Sequence, residues 1–96
     1  MEQQPQQIQI KASDADLKGV YANGVQVQHT KEEFCMDFLN VFAPAGTLNA
    51  RVITSPGHFK RLIRAMQENV ALYEKSFGVI EEAAPAQGSG FGFETK

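Results

Sequence analysis

The residues best suited to chemistry cluster in "SPGHFKRLIR", 55–64, where Ser55, His58, Lys60, Arg61 and Arg64 fall within ten positions. Ser55 is a good helix N-cap and Pro56 suits the first helical position, so the three cations occupy the opening turns of a helix. Cations there oppose the helix dipole by a few tenths to about 1 kcal/mol each. The same helix end offers unpaired N–H groups that can hold an anion. A phosphate or nucleic-acid contact is therefore one reading of Ser55, His58, Lys60, Arg61 and Arg64. The other is a solvated basic face, or pairing with Glu32, Glu33 or Asp37 from a strand end. Charge groups of this kind are more often solvated, and the dipole cost is too small to require a ligand.

The remaining reactive residues form no constellation. His29 and His58 lack the paired spacing of metal ligands. Ser55 and His58 are three apart, but Ser55 has a plain role as N-cap, and no nucleophile elbow surrounds it. Cys35 sits mid-strand among apolar neighbours, the setting of an inert structural thiol. Asp37 on the same strand either needs a partner such as Arg51 or marks where the strand meets solvent. Glu32 and Glu33 are adjacent, which on a strand sends them to opposite faces. The glycines of "GSGFGF" have no strand before them and no helix after, so they match no nucleotide loop. No catalytic residue, metal or cofactor is expected, and a non-enzymatic protein follows.

Composition sets the frame. The chain has 96 residues, 43% of them hydrophobic, with a net charge of −2. That is one domain at most, and no polycation drawn to nucleic acid or anionic lipid. Charge is unevenly placed: segment 55–78 carries Lys60, Arg61, Arg64 and Lys75 against Glu68 and Glu74, a net +2. One cysteine permits neither an internal disulfide nor a thiolate zinc site. The start "MEQQPQQ" is not a signal peptide, and no apolar run approaches the roughly 20 residues that span a bilayer. A cytoplasmic protein with no membrane partner is expected.

The elements that must position these residues are legible in part. Residues 1–7 read as a disordered arm, 8–80 as the domain, and 81–96 as a flexible acidic, Gly-rich tail in which Phe91 and Phe93 form a short sticky motif. "IQIKA" alternates as a short strand, and "SDAD" supplies a turn. A second strand covers 19–29, with Asn23-Gly24 read as a bulge in preference to a hairpin turn. The third, 33–42, places Phe34, Met36, Phe38 and Phe42 on one face and Cys35, Leu39 and Val41 on the other. "APAG" turns the chain into a fourth strand, 47–54. The helix runs over 55–78, with Gly78 placed to end it. Phe59, Leu62, Ile63, Met66, Val70, Tyr73 and Phe77 lie within one arc of about 100°, the width of a core-facing stripe.

The predicted fold is therefore α+β, an antiparallel meander of three to four strands followed by one C-terminal amphipathic helix. The Phe face of the third strand is the natural bed for the helix stripe. Its other apolar face is left uncovered on a domain of marginal size, which points to a partner. Phe34, Met36, Phe38, Leu39 and Val41 are the candidate core and dimer-interface residues, and a twofold homodimer is the economical assembly. Three functions remain open: protein–protein association through sheet and helix, single-stranded nucleic-acid binding through the basic helix start, and a chaperone-like hold on unfolded chains. In outline the fold is similar to some transcriptional-coactivator and Whirly-type single-strand binders. It is also similar in outline to the bacterial export chaperone, whose apolar grooves hold unfolded chains.

Several stretches together carry a family resemblance: Tyr21-Ala22-Asn23; "HT-x-EEF-x-x-DF" at 29–38; "SP-x-H-x-KRL" at 55–62; and "YE-x-x-FG-x-I" at 73–80. Over about residues 19–80 the chain resembles a family of small prokaryotic proteins, the domain of unknown function thirty-four sixty-seven. Gly24 stands where that pattern carries a bulkier residue. The resemblance implies a stand-alone domain in which strands and helix belong together, and it transfers no catalytic residue.

Overall fold

The computed structural model describes residues 6–84 and 92–93. A short helix α1 (Asp14–Lys18) precedes three strands, β1 (Gly24–His29), β2 (Phe34–Phe42) and β3 (Ala45–Thr54), and a long helix α2 (Pro56–Phe77) follows. The strands pair antiparallel in the order β1-β2-β3. This is the expected α+β meander with its C-terminal helix, resolved to three strands.

Two expectations for the N-terminal part are corrected. Residues 8–12 form no strand, and Ile8 and Ile10 are exposed. "SDAD" is not a turn but the start of α1. Ser13 Oγ accepts from Asp16 N–H at 3.1 Å, and Asp16 Oδ2 accepts from Ser13 N–H at 3.0 Å, a capping box closed within four residues. A local pair of cap bonds needs no neighbouring strand, whereas the "IQIKA" alternation finds none to join.

The second strand begins at Gly24, not at residue 19, and Asn23 is part of neither a bulge nor a hairpin. Its backbone N–H donates to the Leu39 carbonyl at 3.0 Å. Its side-chain amide then takes over the pairing, donating to the Val41 carbonyl at 2.9 Å and accepting from Val41 N–H at 2.7 Å. The Asn23 side chain thus imitates one more rung of the ladder and ends it. At the other end of β1, Thr30 Oγ1 accepts from Glu32 N–H and Glu33 N–H, both at 3.2 Å, folding "HTKEE" into the connection to β2.

β2 and β3 pair almost as read, although β3 begins at Ala45 and carries an irregularity. Phe38 faces Ala50 and Leu39 faces Leu48, so Asn49 is the extra residue of a bulge. Its side chain donates to the Tyr21 carbonyl. By this slip Leu48 joins the face of Leu39, where strict alternation would have put it with Ala50 and Val52.

The register defines two faces. The helix-side face carries Val25 and Val27 from β1, Phe34, Met36 and Phe38 from β2, and Val52 from β3. The opposite face carries Gln26, Cys35, Asp37, Leu39 and Arg51. Only Met36, Leu39 and Asp37 are fully buried among the described residues. Of the expected core set, Phe34, Phe38 and Val41 are half-buried.

α2 has the predicted start and end. Ser55 Oγ accepts from His58 N–H at 3.3 Å, and Pro56 opens the first turn. Gly78 ends it with φ 95°, a left-handed conformation that favours glycine, and its N–H donates to the Glu74 carbonyl at 2.9 Å.

Candidate interaction surface

Phe59 anchors α2 to the sheet. Its ring stacks on Phe34 with centroids 4.2 Å apart and planes inclined 10°, and His29 lies on the strand side of Phe34 at 5.4 Å. Three rings from the end of β1, the start of β2 and the first turn of α2 therefore meet at one corner. Beyond that corner the expectation fails that the Phe face receives the stripe of its own helix. Phe59 and Leu62 are half-buried, but Ile63, Met66, Val70, Tyr73 and Phe77 are exposed, and no residue of α2 is buried. Phe42 is exposed as well. The physical reason is the connection: Ser55 alone separates β3 from α2, while strand-to-helix connections commonly have two to six residues with which to reverse direction.

The basic residues lie on the first turns of α2, with Ser55 occupied as the N-cap. His58, Lys60, Arg61 and Arg64 are exposed. Pairing with Glu32, Glu33 or Asp37, one of the alternatives to a ligand, is not seen: among the described residues the one ion pair is Arg51 with Asp37. No acidic residue lies in the first turn of α2 to soften the dipole conflict.

Asp37 is the buried charge that needed a partner. It is 2% exposed, on the opposite face, and Arg51 approaches it bidentately, Nε to Oδ1 at 2.6 Å and Nη2 to Oδ2 at 3.0 Å. These hydrogen bonds hold the carboxyl below its ordinary range despite its burial, and they raise the guanidinium in turn. The Cys35 thiol donates weakly to Asp37 Oδ1 at 3.8 Å. Directly across β1, Gln26 has its amide oxygen buried without a hydrogen-bond partner among the described residues. The Arg51 guanidinium also lies over the ring of Phe93, 5.4 Å from its centroid, so one aromatic of the tail motif touches this face. Phe91 lies outside the described residues, as do 1–5 of the N-terminal arm and most of the tail.

Among the described residues no three His, Cys, Asp or Glu side chains gather as a metal site, and no helix is long and apolar enough to cross a membrane. Sequence reasoning missed the Asn23 clip and the Asn49 bulge: the clip depends on Val41, 18 residues away, and the bulge on how β3 pairs with β2. No curated protein and no solved structure matches the chain. The match is at family level, reaching from the first residue through α1, the sheet and α2: the model described as protein of unknown function (DUF3467) covers residues 1–82, and the chain belongs to that family.

Proposed function

We propose that the chain is a non-enzymatic binding module that works as a homodimer through the helix-side face of its sheet and the stripe of α2. The observation that supports this most is the exposure of that stripe: Met66 is 50% and Phe77 77% accessible. Val25, Val27 and Val52 on the sheet are exposed too. Monomeric proteins rarely leave contiguous apolar surface of this extent in water. A core of so few buried side chains also leaves a lone protomer marginal. We place the module in the cytoplasm, in keeping with its free Cys35 thiol, and take its further partner to be a protein. Equilibrium urea unfolding at several protein concentrations tests the reading. A dimer's midpoint rises with concentration, since association stabilises by mass action. A midpoint unchanged over a hundredfold range contradicts it.

One observation favours a second reading, single-stranded nucleic-acid binding. Lys60, Arg61 and Arg64 are exposed and have no carboxylate at ion-pair distance among the described residues; a dimer would present six such cations. The net charge of −2 weighs against it. Fluorescence anisotropy of a labelled oligonucleotide decides. Binding that falls steeply with salt, and is lost when all three are replaced by alanine, supports phosphate contacts. No binding at low salt removes the reading.

A further inference from the structure

We infer that the dimer forms by reciprocal exchange, the α2 stripe of each protomer lying along the helix-side face of its partner's sheet. This rests on the homodimer reading above and specifies which surfaces meet. The connection comes first. With Ser55 alone between β3 and α2, Pro56 fixing its own φ, and Phe59 stacked on Phe34, the first turn of α2 is pinned at the sheet corner. The helix has no slack with which to lie back over its own strands, so its stripe must be met by another chain.

The two sheet faces are unequal hosts. The opposite face holds the Asp37–Arg51 pair, the Gln26 amide and the Phe93 ring. An apolar stripe laid there would remove Arg51 from water without replacing its solvent contacts. The helix-side face offers valines, and its dimensions fit. The stripe from Phe59 to Phe77 is about 27 Å long at helical rise, and the nine residues of β2 span about 30 Å. Docking also leaves Lys60, Arg61 and Arg64 in water, since on the helical wheel they lie away from the stripe.

The area suffices. Weighting typical side-chain areas by the exposure of the stripe beyond Leu62, the three valines and Phe42 gives roughly 800 Å² per protomer. Doubled by the twofold axis, that is about the size of a standard stable interface. Helix-to-helix pairing alone would leave the sheet valines exposed. A second copy exchanged reciprocally covers both apolar surfaces with one symmetry operation.

Inter-chain cross-linking tests this. In a Cys35→Ser background, chains bearing Val27→Cys and chains bearing Met66→Cys, distinguished by tags of different size, are refolded together and treated with a short bismaleimide. Reciprocal exchange gives a covalent heterodimer joining sheet to helix as the main product. A dimer by light scattering that cross-links only Met66→Cys to Met66→Cys, or not at all, overturns the exchange and leaves the homodimer standing. A monomer by light scattering overturns both.

Discussion

Val70→Asp separates the stripe's role in association from any role in the protomer. Val70 is 45% accessible in the isolated chain, so burying the remainder contributes about 1 kcal/mol per site. A twofold interface contains two such sites. The new carboxylate must also be desolvated or keep the interface open, which adds at least about 1 kcal/mol for each copy. The sum is about 4 kcal/mol, a roughly thousandfold weaker dimer. Within one protomer the change is close to silent, because Val and Asp have nearly the same intrinsic helix propensity. Sedimentation equilibrium reads the association constant, and far-UV circular dichroism at high concentration checks that the helix persists. Glu68→Ala, on the opposite side of α2, should leave association unchanged. A Val70→Asp protein that dimerises within tenfold of the original refutes the stripe as the interface.

Three further outcomes concern the sheet and the helix start. Asp37 is held below its ordinary value of 3.8, chiefly by hydrogen bonds from Arg51. Its contribution to stability is then complete above that value and lost as pH falls below it. The difference in urea midpoint between the original and Asp37→Asn should accordingly be constant above about pH 5 and shrink below about pH 4; a difference undiminished at pH 2 contradicts the pairing. Leu39→Ala removes one of the few buried side chains, so urea unfolding should show a loss of about 2–3 kcal/mol, the lower part of the range for such truncations. Ser55→Ala should cost only about 0.5–1 kcal/mol, because its cap bond is long at 3.3 Å; Ser55→Asp should recover that loss, and a thermal-melt comparison of the three decides.

What was legible in the sequence was local. The bounds of α2 are written in Ser55, Pro56 and Gly78, and its stripe follows from one wheel. β2 is a long apolar run and β3 an alternating one, and both formed close to their predicted bounds. α1 escaped because five residues carry no periodicity, although its cap, Ser13 with Asp16, was visible as polar turn chemistry. Asn23 stood out as half of Asn-Gly, but its role depends on Val41, which only the folded sheet brings alongside. Leu48 changed face through a bulge that no alternation rule foresees. Lys60, Arg61 and Arg64 lie on the opening turns that Ser55 and Pro56 mark, and none of them pairs with Glu32, Glu33 or Asp37; Asp37 is committed to Arg51 across the sheet. The stripe identified which residues need cover, but a helical wheel does not say whose surface provides it.

The most direct measurement is the mass of the unmodified protein by light scattering behind size exclusion, at concentrations from micromolar upward. A homodimer gives twice the chain mass of 10.6 kDa, and a mass that stays at one chain throughout contradicts the central claim.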